Sequence, residues 1–268
     1  MTCTEAIYSE QVLDYIVSSY IREETLVERY RPTCYSRISS GGTIVYREES
    51  RIDSQTINQF GYGTVPHVYG LMGYEALEAA GVMRIRRQPY LDLYGQGVIV
   101  GFVDTGIDFT HEAFRNADGT TRLHSIWDQT IREDGPSQFD YGRVFSEQEI
   151  NEALKQEQPS SYLPTRDEIG HGTFLAGVAA GNEIPGREFS GIAPLSQIIV
   201  VKCKEAKNSY REYYRVPSKV PCYQENDIMA GIMYILQVAY SLGRPVAICV
   251  GMGSSLGNHD GASPLCHL

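Results

Sequence analysis

The stretch GVIVGFVDTG, at residues 97–106, decides the fold of this chain. It is an apolar run bounded by glycines, which is typical of a strand buried on both faces of a parallel sheet. The runs QIIVVK at 197–202 and PVAICV at 245–250 predict two more strands of this kind. Helical patterns over 171–182 and 226–242 alternate with these strands. The order predicts an α/β fold, in which a parallel sheet carries helices on both faces.

The N-terminal part of the chain has a different pattern of predicted helices and strands. An amphipathic pattern over 5–19 predicts a helix, and the alternation in TIVYRE at 43–48 predicts a strand. A short helix that ends at a glycine is predicted over 73–81. We therefore expect a small α+β unit over residues 1–70, followed by the α/β region over 71–268.

Composition and charge narrow the class of protein. Of the 268 residues, 42% are hydrophobic and 21% are charged, which suits a globular protein with a sizeable core. The formal net charge is -10 and no basic stripe is present, so nucleic acid is not an expected partner. No segment resembles a secretory signal, and no apolar run approaches the ~20 residues of a membrane span. The six cysteines are scattered without a CxxC pair, and we interpret them as reduced thiols.

Asp104 stands at the carboxyl end of the first predicted strand, with Gly101 and Gly106 on either side. Open α/β sheets place functional groups at this end of their strands. An aspartate in this position can bind a ribose or a metal, or cap the next turn. The residue is a candidate site residue whose role depends on what lies near it.

His171 opens the second predicted helix, in the stretch DEIGHGT at residues 167–173. The positive end of a helix dipole disfavours the protonated imidazole, which leaves it ready to accept a proton as a general base. A carboxylate on Nδ1 would fix the tautomer and stabilise the imidazolium that forms. A lone histidine at a helix start is more often a capping or packing residue. Here it follows the Asp104 segment, and the two together predict an acid–base pair.

These two segments resemble a known family. VDTGID around Asp104 and GHGTFLAGVAAG around His171 resemble the Asp and His boxes of the subtilases, serine proteases whose triad runs Asp, His, Ser along the chain. GIAPLSQIIVVK at 191–202 is similar to the segment that enters the next central strand of that family. The resemblance implies a three-layer subtilisin-like fold and a serine endopeptidase that acts on protein or peptide substrates.

A narrower group is also indicated. SIWDQT at 125–130 and NHDG at 258–261 resemble the subtilases of clostridia and their relatives, which include spore germination proteases and inactive homologues. This resemblance, and the lack of a visible secretion signal, favour a cytoplasmic or spore-associated location. By the same resemblance residues 1–70 are propeptide-like, and the alternative is a plain N-terminal extension of the catalytic domain.

The resemblance also assigns a substrate-binding strand. Gly251, Met252 and Gly253 fall where subtilases have a Ser-Leu-Gly strand that pairs with the substrate backbone. We expect no cofactor. Subtilases often bind calcium, but no ligand set is recognisable here. His111 and Asp108 suggest a metal site only weakly, because a third ligand at suitable spacing is missing.

The chain departs from the family in two places. Asp104 and His171 are 67 positions apart, more than in the simplest subtilases. We interpret the intervening insertion as a surface excursion, with Trp127 as a packing residue. After His171 no Asn box and no Gly-Thr-Ser box followed by a helix is found, so the chain looks truncated before the catalytic serine. It is either the N-terminal part of an endopeptidase whose serine lies beyond Leu268, inactive alone, or a non-catalytic binding or regulatory protein.

Overall fold

A computed structural model of the chain describes residues 1–18, 21–38, 42–49, 51–71, 93–133, 139–182, 184, 190–254, 256–257 and 260–268. The helix predicted over 73–81 lies outside these ranges. None of the helices within them combines the length and the apolar character that a membrane crossing needs.

The N-terminal unit is a small antiparallel sheet with helices. Its elements are α1 Cys3–Tyr8, β1 Val12–Ser18, α2 Glu23–Tyr30, β2 Cys34–Arg37, β3 Gly42–Glu48 and α3 Ser54–Phe60. Within the described ranges its strands run in the order β1-β3-β2, with both pairings antiparallel. The strand predicted over 43–48 is confirmed, and the unit mixes helix and strand as predicted.

The helix predicted over 5–19 is wrong for most of its length. Helix α1 ends at Tyr8, and β1 then pairs with β3 along its whole length. Leu13 and Tyr15 pack in one apolar cluster, whereas Val12 and Ile16 pack in another on the opposite face. A strand with both faces buried loses the polar alternation that distinguishes it from a helix, so the tertiary contacts decided the outcome.

Two of the cysteines are not reduced thiols. A disulfide joins Cys3 of α1 to Cys34 of β2, with their Cα atoms 5.5 Å apart. The prediction of reduced thiols is therefore wrong for this pair. Cys203, Cys222, Cys249 and Cys266 are free cysteines in the described part of the chain.

The α/β unit carries the main sheet. Its elements, with the short strands that lie beside it, are β4 Val68–Leu71, β5 Ile99–Asp104, β6 Leu123–Asp128, β7 Arg143–Ser146, α4 Glu147–Ala153, α5 Pro159–Tyr162, α6 His171–Ala180, β8 Gln197–Lys202, α7 Asn208–Tyr213, β9 Tyr223–Gln224, α8 Glu225–Ser241, β10 Val246–Val250 and β11 Met252–Gly253. Among the described residues the main sheet has the order β10-β5-β8-β6-β7. Every pairing in it is parallel except that of β6 with β7. The three predicted strands and the two predicted helices are confirmed.

The segment between the two motifs is not simply a surface excursion. Its residues 123–128 form β6, which pairs with β8 inside the sheet, and β7 extends the sheet beyond it. Trp127 is fully buried against Phe139 and Tyr141, so its prediction as a packing residue is confirmed. The acidic and amide-rich composition of the whole segment concealed this short apolar strand.

The core is divided between the two faces of the sheet. Phe102 and Val200 belong to a cluster that includes Ala176 of α6 on one face. Val103 and Val201 belong to a second cluster that includes Ile235 of α8 on the other face. The alternation along the strands therefore produces three layers: helix, sheet and helix.

The N-terminal unit shares this core. Ile16 of β1 and Tyr46 of β3 lie in the same apolar cluster as Ile199 of β8 and Ile228 of α8. The sheet face next to the N-terminal unit is therefore closed by residues from both units.

The outer strand β10 is less well covered than predicted, because Ala247 is exposed.

Candidate active site

The two predicted catalytic residues come from adjoining elements. Asp104 is the last residue of β5, which lies between β10 and β8 in the sheet. His171 is the first residue of α6, and Gly170 before it has φ +84°. Residues with a Cβ rarely adopt this left-handed backbone, so the glycine permits the sharp turn into the helix. The turn brings the imidazole to the end of β5.

The side chains of Asp104 and His171 are in hydrogen-bond contact. His171 Nδ1 lies 2.8 Å from Asp104 Oδ1, and the Asp104 side chain is only 1% exposed, against 16% for His171. The backbone N–H of Thr105 also donates to Asp104 Oδ1, at 2.7 Å. With Nδ1–H donating to the carboxylate, the basic lone pair of the ring is on Nε2. The pair can therefore take up a proton at Nε2 and stabilise the charge that results.

Burial governs the electrostatics of Asp104. It raises the pKa of the carboxyl above its ordinary value, and the hydrogen bonds from His171 and Thr105 oppose that effect. Asp104 Oδ2 is buried and has no hydrogen-bond partner among the described residues. The carboxylate thus depends on Oδ1 and its two donors to remain ionised.

Two glycines let backbone approach the pair closely. An ideal Cβ on Gly172 would lie 2.2 Å from the carbonyl oxygen of Gly106, the turn that follows Asp104. An ideal Cβ on Gly251 would lie 2.2 Å from Asp104 Oδ2 and 2.3 Å from Leu175 Cδ1. No side chain fits at either position without movement of its neighbours. Packing at the turn that follows Asp104 therefore requires a glycine at position 172.

Sequence reasoning did not assign a role to Asp167, four residues before His171. Its Oδ1 accepts from Thr105 Oγ1 at 2.7 Å and from the Gly170 N–H at 2.9 Å. Its Oδ2 accepts from Thr173 N–H at 2.8 Å and from Thr173 Oγ1 at 2.6 Å. The available signal was an aspartate just ahead of a helix start, a position where carboxylates bond to free N–H groups.

Of the predicted substrate-binding residues, Gly251 lies beside Asp104, and Met252 and Gly253 pair with another strand of the chain. Strand β11 contains Met252 and Gly253, and it pairs antiparallel with β4, Met252 opposite Leu71 and Gly253 opposite Gly70. On its other side β4 pairs antiparallel with β9. Strand β4 thus lies between the edges of β11 and β9, which is the geometry of strand addition. Gly251 precedes β11 and packs against the Asp104 carboxyl group.

The side chains of the other candidates bond within their own loop, although the Asp108 N–H donates to Thr173 Oγ1 at 2.9 Å. His111 is exposed, and its Nδ1 accepts from the Ala113 N–H at 3.1 Å. Asp108 Oδ1 accepts from its neighbour Thr110. Within the described ranges no group of three or more His, Cys, Asp or Glu side chains is arranged to hold a metal ion.

The fold and the pair define a class of protein. A buried carboxylate at the carboxyl end of a parallel strand, bonded to an imidazole at a helix start, is the arrangement that the acid and base of an Asp-His-Ser triad adopt. Residues 95–219 match the model of the subtilase family.

Individual relatives agree with that match. Two subtilisin-like proteases of Arabidopsis thaliana, SBT2.2 and SBT2.4, are each 33% identical to this chain over 126 and 128 residues. The solved structure of the Clostridium perfringens CspB protease is 30% identical, with a TM-score of 0.57 over 73% of this chain. Over residues 95–219 the chain is similar to the subtilase family, and its fold is subtilisin-like.

The matches cover only part of each relative. The Arabidopsis matches cover 40% of this chain and 15% of the length of either protein. The structural match covers 37% of the CspB protease chain. The family match, at residues 95–219, includes both Asp104 and His171.

Proposed function

We propose that this chain is the N-terminal part of a subtilisin-like serine endopeptidase, in which Asp104 and His171 are two members of an Asp-His-Ser triad. The observation that carries the proposal is the 2.8 Å contact between His171 Nδ1 and the buried carboxylate of Asp104. The third member is a serine that lies in sequence beyond Leu268. The reaction uses no cofactor.

Each residue has a defined role in this reaction. As the serine Oγ attacks the carbonyl carbon of the peptide, His171 Nε2 takes the serine proton, and Asp104 stabilises the imidazolium. The imidazolium then gives that proton to the leaving amine as the C–N bond breaks. Water hydrolyses the acyl-enzyme by the same route, with His171 again as base and then as acid. Asp104 stays ionised throughout.

We further propose that substrates bind as an added strand against Gly251, Met252 and Gly253. The support is the antiparallel pairing of β11 with β4, which gives an extended chain two neighbouring strand edges. In this proposal β4 occupies the place of the substrate, and residues 1–70 act as a propeptide that covers the cleft. Backbone hydrogen bonds supply the affinity in this binding mode.

The decisive experiment uses the protein together with the sequence encoded after Leu268. The reading frame is extended, the longer protein is expressed, and peptide cleavage is measured for the parent and for His171→Ala. We expect an Asn box and a Gly-Thr-Ser box in the extension, and a fall in kcat of about 10⁴-fold or more in the variant.

A matched control is His111→Ala, since His111 is exposed and its Nδ1 accepts from the Ala113 N–H. Its kcat should stay at the parental value. Full turnover by His171→Ala would refute the proposed triad. A stop codon directly after Leu268, with peptides bound but not cleaved, would instead establish a non-catalytic binding protein.

A further inference from the structure

The loop that precedes His171 is tied to the ends of three adjacent strands. We call residues 165–170 the His loop. Thr165 Oγ1 donates to Asp128 Oδ2 at the end of β6, at 2.6 Å. Lys202 Nζ at the end of β8 donates to Glu168 Oε2 at 2.9 Å. Directly after β5, Thr105 Oγ1 donates to Asp167 Oδ1 at 2.7 Å. The main sheet therefore holds the His loop through side-chain hydrogen bonds at three separate places.

Of these ties, the one at Asp167 closes around His171 itself. The carboxylate of Asp167 accepts from the N–H of Gly170, before the histidine, and from the N–H and Oγ1 of Thr173, after it. One side chain therefore restrains the backbone on both sides of the catalytic base. Rotation of the first turn of α6 would break several of these bonds together.

Thr105 connects the hydrogen bonds of Asp167 to Asp104. Its Oγ1 donates to Asp167 and accepts from the Gly172 N–H at 2.9 Å. Its own N–H donates to Asp104 Oδ1 at 2.7 Å. A continuous chain of hydrogen bonds therefore runs from Asp104 through Thr105 to the backbone that flanks His171.

We propose that Asp167 is a positioning residue of the triad, which holds His171 at hydrogen-bond distance from Asp104 through Thr105 and Thr173. The inference rests on the proposed function, because it assigns Asp167 to the same reaction. Asp167 touches neither the imidazole nor the substrate in this scheme. It acts by fixing the backbone that carries the imidazole.

The electrostatics agree with that geometry. Burial of Asp167 works to raise its pKa, but hydrogen bonds from Thr173, Thr105 and Gly170 outweigh it and hold the pKa below the ordinary value. Asp167 is therefore an anion at neutral pH, and its hydrogen bonds are of the stronger charge-assisted kind. Misplacement of a catalytic group by about 1 Å lowers a rate on the order of 10²-fold, so this restraint has a direct kinetic consequence.

The neighbouring acid provides a matched control. Glu168 also belongs to the His loop, but its side chain is 68% exposed and its ion pair is with Lys202. Glu168→Gln removes a charge one residue away from Asp167 and leaves all four of the Asp167 hydrogen bonds in place. If loss of a negative charge in the His loop were sufficient to disturb His171, Asp167→Asn and Glu168→Gln would have the same effect.

The test follows the imidazole Nδ1 proton of His171 by NMR in the 268-residue chain. Its downfield signal is assigned by its loss in His171→Gln. In Asp167→Asn we expect this proton to exchange with solvent about tenfold faster or more, whereas Glu168→Gln should leave its exchange unchanged. If Asp167→Asn does not fold, Thr173→Val is measured in its place. It removes the Oγ1 donor to Asp167 and the acceptor of the Asp108 N–H, and its proton exchange should also be faster than that of the parent.

The same variants are then measured for peptide cleavage in the serine-bearing protein. We expect Asp167→Asn to lower kcat by about 10²-fold with little change in KM. Parental proton exchange in Asp167→Asn, or equal acceleration in Glu168→Gln, would overturn the inference. Accelerated exchange without any peptide cleavage by the parent would leave the inference standing and refute the proposed function instead.

Discussion

Asp14 and Lys207, 193 positions apart in the chain, form an ion pair with 2.5 Å between Oδ1 and Nζ. Neither side chain is more than 4% exposed. Gln224 Nε2 donates to the other oxygen of Asp14 at 2.9 Å, so both carboxylate oxygens are bonded. Since Asp14 belongs to β1 and Lys207 to the α/β unit, the pair joins the two units through buried charge.

Removing one member of this pair should be costly. In Asp14→Ala the ammonium group of Lys207 stays buried without its counter-charge, and we expect the free energy of unfolding to fall by about 3–5 kcal/mol. Chemical denaturation of the 268-residue chain measures the change. The double variant Asp14→Ala with Lys207→Met should recover much of the loss, because no unpaired charge remains. An equal loss in both variants would show that the charges themselves are unimportant.

Gly172→Ala should destabilise the protein although it lies in a helix. Alanine is favoured over glycine in a helix interior by about 1 kcal/mol. At this position, however, the new Cβ would lie 2.2 Å from the Gly106 carbonyl oxygen, a backbone atom that has no rotamer to change. We expect a net loss of about 1–3 kcal/mol in unfolding free energy.

The control for that substitution is Gly63→Ala, since a Cβ at Gly63 would have no neighbour within 4 Å. Its effect should stay within about 0.5 kcal/mol. Thermal and urea unfolding of the two variants side by side give the comparison. A Gly172→Ala protein as stable as the parent would mean that the turn after Asp104 can move.

The stability of the chain in acid should depend on Asp167. Its pKa in the folded protein lies below its ordinary value of 3.8, so the unfolded state binds a proton more readily. The stabilisation is complete above about pH 4 and is lost as the pH falls through the folded-state value. Asp167→Asn should therefore lose stability at neutral pH and show a shallower decline below pH ~4. Urea unfolding between roughly pH 2.5 and 7 tests this, and parallel curves would contradict it.

The disulfide between Cys3 and Cys34 should stabilise the N-terminal unit. It closes a loop with a sequence separation of 31 residues, for which chain entropy predicts about 3–4 kcal/mol. The double variant Cys3→Ser with Cys34→Ser should show this loss in denaturant unfolding under oxidising conditions. Cys266→Ser is the control, as it changes an exposed free thiol. Equal stability of the parent with and without reductant would refute the prediction.

Several features followed from local pattern alone. Strands β5 and β8 and helices α6 and α8 were predictable because their apolar runs and periodicities are long and are bounded by glycine or polar residues. Asp104 and His171 were predictable because each stands at a strand or helix end within a recognisable motif. Their pairing across 67 positions followed from the resemblance to a family in which the two boxes meet.

Other features depended on partners distant in the sequence. The segment at 12–18 is a strand because it pairs with β3 and buries both faces, and β6 is a strand because β8 lies beside it. The disulfide between Cys3 and Cys34 forms only where the fold places α1 beside β2. No local pattern carries this information, since a short apolar run satisfies a helix and a strand equally well.

By itself, the sequence determined the α/β class, the order of its main strands and helices, and the two residues of the acid–base pair. The tertiary structure alone decided what holds them: the Asp167 hydrogen bonds around His171, the strand β4 beside Met252, and the buried pair of Asp14 with Lys207. The physical reason is that periodicity reports the environment of one segment. A hydrogen bond or ion pair between distant residues exists only after the chain has folded and excluded water from both partners.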